Sequence, residues 1–181
     1  MTTPLKARLA AREPLNGCFV QVASVALVEM IAYAGFDFAV LDQEHGPSAH
    51  EAIEHQVRAA EAAGMPVLVR VQANRPELVL QALDAGAIGV MAPHVRNADD
   101  AEALVRAAHY PPAGIRGIAT TSRAGRYGTV SVAAHFERAR AQTVVMPQLE
   151  DREAVDQAQS IASVPGVDAV LIGPSDLAVS L

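Results

Sequence analysis

Short apolar runs rich in β-branched residues alternate along this sequence with amphipathic segments of helical period, and no other feature constrains the fold as much. A strand that feeds a helix and then another strand of the same kind is the unit of a parallel sheet. Strands are expected at residues 18–22, 38–41, 67–71, 88–92, 143–148 and 167–172, with a further short one near 115–119 inside a Pro-, Gly- and Arg-rich loop, 110–128. Helices are expected at 25–34, from Ser48 to Gly64, at 75–85, from Asn97 to Ala108, at 131–141 and at 151–162. Ser48 with Glu51 three residues on is a capping-box pattern, Asn97 is an N-cap, and Gly64 with Pro66 just beyond is a stop. Ala34-Gly35, Ala63-Gly64 and Ala85-Gly86 each close a helix just before an apolar run, so one unit is reused.

Seven strands of one β-then-α pattern predict an α/β fold of the TIM (β/α)8-type barrel rather than an open sheet, because no Gly-rich dinucleotide loop follows the first strand. The expectation is a single (β/α)-barrel domain over 1–181, truncated before the eighth strand, since such barrels need roughly 200 residues. Edges left open in this way would expose unpaired ladder groups.

A net charge of −6 supplies no field for a phosphate backbone, and 4% aromatic residues with no Trp leave few platforms for bases, so nucleic acid is not expected as a partner. No apolar stretch reaches the roughly 18 residues of a membrane span, and residues 1–9 lack the core of a signal peptide, so a cytoplasmic location is expected. Cys18, the single cysteine, excludes an intramolecular disulfide and reads as a buried strand thiol. Thirteen of the fourteen basic residues are Arg, and the one Lys, Lys6, lies in the N-terminal arm. Schiff-base activation of a ketone needs a buried amine, so carbonyl chemistry on this chain calls for a metal instead.

In a parallel barrel the active site lies at the C-terminal ends of the strands. Polar residues expected there are Asp42, Glu44 and His45 after the second strand, Arg70 ending the third, and Pro93 and His94 after the fourth. Gln148 and Glu150 follow the sixth, and Ser175 and Asp176 the seventh. Glu150 and Asp176 are candidate metal ligands, since two carboxylates on neighbouring strand ends suit Mg²⁺ or Mn²⁺; solvated acids in the first turn of a helix are the alternative. The turn Gly173-Pro174-Ser175 offers backbone N–H groups and a helix N-terminus to a substrate carboxylate. Arg70, on an apolar strand, either forms an ion pair with Asp42 or Glu44 or binds the oxygen of an enolate. His45, in the turn Asp42-Gln43-Glu44-His45-Gly46, is a candidate general acid/base oriented by a carboxylate. His50 and His55 break the i, i+4 spacing of a helical zinc motif and read as solvated.

In their order and spacing, several segments resemble the HpcH/HpaI aldolase/citrate lyase family across essentially the whole chain. They are Leu41-Asp42-Gln43-Glu44-His45-Gly46-Pro47, Val69-Arg70, Tyr110-Pro111-Pro112-Ala113-Gly114-Ile115-Arg116-Gly117, Gln148-Leu149-Glu150 and Ile172-Gly173-Pro174-Ser175-Asp176-Leu177. The resemblance implies a class II pyruvate aldolase that reversibly cleaves a 4-hydroxy-2-oxo acid to pyruvate and an aldehyde through an enolate. It implies a divalent cation (Mg²⁺, Mn²⁺ or Co²⁺) on Glu150 and Asp176, with Gln148 lining the site. Arg70 would stabilise the enolate, His45 paired with Asp42 would move protons, and Gly173, Pro174 and Ser175 would receive the substrate carboxylate. Small-molecule oxo acid and aldehyde are the implied partners, and a homo-oligomer, trimer or hexamer, the implied assembly. Two other readings remain open: a CoA-ester lyase of the malyl- or citramalyl-CoA type, with Arg116, Arg123 and Arg126 on the nucleotide phosphates, and a non-catalytic barrel fragment.

Overall fold

The structure, a computed structural model, describes residues 3–46 and 49–181. A short helix, α1 (Leu5–Ala10), precedes β1 (Gly17–Val20), α2 (Val25–Tyr33), β2 (Phe38–Asp42), α3 (His50–Ala62) and β3 (Val67–Arg70). The chain continues through α4 (Pro76–Asp84), β4 (Gly89–Ala92), α5 (Ala98–Ala108), α6 (Val132–Gln142) and β5 (Val144–Leu149). It closes with α7 (Arg152–Asp156), α8 (Ala158–Ala162), β6 (Leu171–Ile172) and α9 (Pro174–Ser180). All strand pairs are parallel and the spatial order is that of the chain, β1 to β6, so the α/β architecture is a curled six-stranded half-barrel.

Side chains alternate across a strand, and here that alternation sorts the apolar residues into two cores. Ala39, Leu41, Val67, Val69, Val90, Ala92 and Val145 pack against the helices. Val40, Leu68, Met91, Val144 and Met146 pack together on the concave face, where Leu5 of α1 joins them. Asp42, Arg70 and Gln148 each stand two residues beyond a member of this second set, and Asp42 lies opposite Arg70 in the β2–β3 register. The pleat therefore turns these three polar side chains into the mouth of the half-barrel, at the C-terminal ends of the strands.

The expected N-cap at Asn97 forms, and Ser24 and Ser131 add two that were not expected. Ser24, Asn97 and Ser131 accept from the third residue of α2, α5 and α6, at 3.2, 2.9 and 3.2 Å. Asn97→Ala is expected to cost about 1 kcal/mol, read as a lower denaturant midpoint with an unchanged slope. The Ser48 capping box lies outside the described residues, and Ala49 precedes α3 without a side-chain cap.

Four expectations are corrected. The run at 115–119 forms no strand, so the described residues hold six strands where seven were predicted. Ile115 N–H and Arg116 N–H instead donate to Arg106 O and His109 O, at 2.8 and 3.0 Å, tying this segment to the end of α5. The strand expected at 167–172 shrinks to its last two residues, because the Asp168 carboxylate takes the N–H of Val145 at 2.9 Å, where a ladder bond would otherwise run. The helix expected at 151–162 breaks at Gln157 into α7 and α8. Gln148 and Glu150 thus follow the fifth strand, and Ser175 and Asp176 the sixth. Cys18 is half-buried rather than buried, because β1 is an edge of the sheet.

Candidate active site

Asp42, the last residue of β2, is 1% exposed and saturated with donors. Arg70 grips both its oxygens, Nε to Oδ1 at 2.9 Å and Nη2 to Oδ2 at 2.5 Å. Gln21 Nε2 adds 2.8 Å to Oδ2, while the backbone N–H groups of Glu44 and His45 reach Oδ1 at 3.0 and 3.2 Å. Burial alone would raise the Asp42 pKa, but the hydrogen bonds from Arg70, Gln21 and His45 outweigh it and bring the group to about 2. An ionised Asp42 in turn keeps Arg70, itself buried, charged and oriented. The guanidinium also lies 5.1 Å from the centroid of the Phe19 ring.

The remaining Arg70 nitrogen, Nη1, faces inward, 3.1 Å from Glu44 Oε2 and 3.3 Å from Gln148 Oε1. Gln148, 2% exposed, passes its amide to Glu150 Oε2, and Glu150 is 1% exposed. Glu150 Oε1 accepts the backbone N–H of His94 at 2.8 Å. His94 adopts φ +54°, a left-handed backbone that costs a non-glycine residue of its size about 1–3 kcal/mol and persists where the surroundings dictate it. That geometry brings its imidazole Nδ1 to 3.3 Å from Glu150 and 3.3 Å from Asp151, with Nε2 3.8 Å from Glu44.

Ligand atoms of Glu44, His94 and Glu150 consequently lie within 4.8 Å of one another. Two carboxylates converging in a half-buried mouth repel, and burial raises the Glu44 pKa, with Arg70 opposing and Glu150 reinforcing the shift. Glu44 Oε2 is buried and accepts no hydrogen bond of good geometry, Arg70 facing it as a charge alone. This donor set suits a divalent cation: it offers oxygen and nitrogen donors, excess negative charge and a buried carboxylate oxygen without a hydrogen bond. Gly173 is shaped to the same site, since a Cβ there would come within 2.9 Å of both Glu150 Oε2 and Gln148 Nε2.

The other expected residues surround this cluster. Asp176 is exposed in the first turn of α9, three residues beyond Gly173 and outside the converging set; Pro174 and Ser175 are exposed beside it. His45 meets Asp42 through its backbone N–H, and its half-exposed imidazole lies 3.8 Å from Glu44. Sequence reasoning places Glu44 and His94 at the rim without assigning them to the cluster, and passes over Gln21 and Asp151. The signal available for His94 is a polar residue directly after Pro93 at a strand end. Lys6 is tied to Thr143 O at 2.7 Å and Asp168 at 3.0 Å, at the N-terminal ends of the strands, so among the described residues no lysine amine reaches the mouth. Arg116, Arg123 and Arg126 line a cavity of about 900 Å³ that opens at that same opposite end, beside Met65, Ile88 and Thr143. Arg116 pairs there with Asp84 and Arg123 with Glu61. His50 and His55 are exposed on α3. Among the described residues no helix is long and apolar enough to cross a membrane.

Residues 15–181 match the family described as HpcH/HpaI aldolase/citrate lyase. The chain belongs to that family. A hydroxypyruvate/pyruvate aldolase of Paraburkholderia phytofirmans is 39% identical to it, covering 99% of this chain and 71% of the relative. The 5-keto-4-deoxy-D-glucarate aldolase of Escherichia coli is 36% identical, covering 97% and 68%. In structure, an HpcH/HpaI aldolase/citrate lyase family protein from Burkholderia cenocepacia matches with a TM-score of 0.91 and 40% identity, over 97% of this chain and 70% of that one.

Proposed function

We propose that this HpcH/HpaI family chain is a divalent-metal-dependent aldolase that reversibly cleaves a 4-hydroxy-2-oxo acid to pyruvate and an aldehyde. The observation that carries the reading is a mouth without lysine in which Glu44, His94 and Glu150 converge beside the inward nitrogen of Arg70. Two of the named relatives are aldolases, one named for hydroxypyruvate and pyruvate and the other for a keto-deoxy sugar acid, which supports it.

Cleavage removes the proton of the 4-hydroxyl, breaks the C3–C4 bond and leaves its electron pair as the enolate of pyruvate, which takes a proton at C3. Glu150 would hold Mg²⁺, Mn²⁺ or Co²⁺ with Asp176 of the following helix, Gln148 lining the site. When bound, such a cation supplies Lewis-acid polarisation of the 2-oxo group. Arg70 Nη1 donates to the enolate oxygen as charge develops there, already fixed by Asp42 and needing no reorganisation. His45, exposed beside Glu44, moves the protons. With Gly173 N–H donating to Leu149 O at 2.9 Å and Pro174 having no N–H, the Ser175 N–H of this turn receives the substrate carboxylate, Gly173 and Pro174 shaping the approach. The domain is read as a single (β/α)-barrel unit acting as a homo-oligomer.

A panel of 4-hydroxy-2-oxo acids assayed for pyruvate release, with and without EDTA, tests the reading. Release abolished by EDTA and restored by added divalent ion is expected; release indifferent to EDTA would refute it.

A further inference from the structure

The cavity of about 900 Å³ at the N-terminal ends of the strands combines two kinds of lining. Phe36, Met65 and Leu83 give it apolar surface, and Arg116, Arg126 and Arg138 give it positive charge. We infer that this cavity is a binding site for a small organic phosphate, a phosphomonoester with an apolar body. The inference is independent of the aldolase reading, which concerns the opposite end of the sheet.

An excess of cation carries it. Arg8, Arg116 and Arg123, which all reach the cavity, have carboxylate partners in Asp37, Asp84 and Glu61. Among the described residues Arg126 and Arg138 form no ion pair. Arg138, half-buried on α6, donates to Ala124 O and lies 3.3 Å from His135 Nδ1, and both partners are neutral. Burial lowers the Arg138 pKa, Arg126 adds to the shift as a like charge nearby, and Glu61 opposes it less strongly. His135 is 2% exposed, with Nε2 2.8 Å from the Tyr110 hydroxyl, and the Arg116 guanidinium lies 4.6 Å from the centroid of the Tyr110 ring. Burial first, then the Arg138 and Arg116 charges, lower the His135 pKa, so the ring between them stays neutral. Arg116 is 5% exposed, and its buried Nε finds no acceptor. Buried cations short of counter-charge are costly, and an anion in the cavity supplies what the chain does not. One guanidinium fork fills a carboxylate, whereas the oxygens of a phosphate suit arginines arriving from separate elements. Arg116 follows α5, Arg126 stands in the loop beyond it and Arg138 lies on α6. The volume exceeds that of a free phosphate and is in the range of sites that hold organic ligands.

Calorimetric titration of the chain with phenyl phosphate, sodium phosphate and malonate tests the assignment. Wild type is expected to bind phenyl phosphate, sodium phosphate more weakly and malonate least. Arg126→Gln removes an exposed side chain that has no ion pair, and Arg138→Gln removes the second uncompensated cation. Each is expected to weaken phenyl phosphate by about tenfold, with a denaturant midpoint showing that the variant folds. Arg116→Gln is the poorer probe, because it would strand Asp84. Arg70→Lys, at the mouth, is expected to leave the affinity for phenyl phosphate unchanged. Binding that falls with Arg70→Lys and survives both Arg126→Gln and Arg138→Gln belongs to the mouth and overturns the inference. Malonate or sodium phosphate binding as tightly as phenyl phosphate overturns the organic phosphate as the ligand class, and a chain that binds none of the three probes has no such site.

Discussion

Replacing Arg70 by lysine is expected to lower pyruvate-forming turnover by about 10²–10³-fold while leaving divalent-ion affinity nearly unchanged. Lysine keeps the charge and loses the fork: Nε and Nη2 hold the two oxygens of Asp42, and only a planar guanidinium can do this while aiming a third nitrogen inward. Alanine is the poorer probe, because an uncompensated Asp42, 1% exposed, would cost about 3–5 kcal/mol and confound activity with folding. Steady-state kinetics beside calorimetric ion binding separates the roles. A parallel fall in kcat and in ion affinity would assign Arg70 to the architecture of the mouth instead of the transition state.

Glu150→Gln should be the most damaging single-atom change in the chain. The amide preserves shape against Gly173, where no spare volume exists, but removes the charge that the mouth concentrates on a cation. Divalent affinity is expected to fall by more than about 100-fold, since even partners one shell further out typically cost 10–100-fold, and activity to vanish at any attainable ion concentration. Asp176→Asn provides the matching comparison at the first turn of α9. Turnover at the wild-type level in the Glu150 variant would end the metal assignment.

Strand parity is legible in the order of residues, because β2 and β3 end in, and β5 carries next to its end, a polar residue at an even offset from an inward one. Asp42, Arg70 and Gln148 are therefore expected at one rim, and the pleat brings them together. The same logic fails at 115–119, where β-branched residues sit as they do in strands but the N–H groups of Ile115 and Arg116 are spent on the end of α5. Local composition cannot report which distant acceptor a backbone group will find.

His94 marks the same boundary from the other side. Its place after Pro93 is visible in the sequence, yet its approach to Glu44 depends on a left-handed turn at one position and on Asp151 from a strand end 57 residues away.

The alternation of strand and helix, the absence of a usable lysine and the acidic rim follow from the order of residues alone, since periodicity and residue chemistry are local properties. Which carboxylates face one another was decided by the folded sheet: parallel register and the curl of the half-barrel convert separations such as the 78 residues between Arg70 and Gln148 into a few ångströms. Charges become a site only at that distance, because their interaction in a buried mouth rises steeply as they approach.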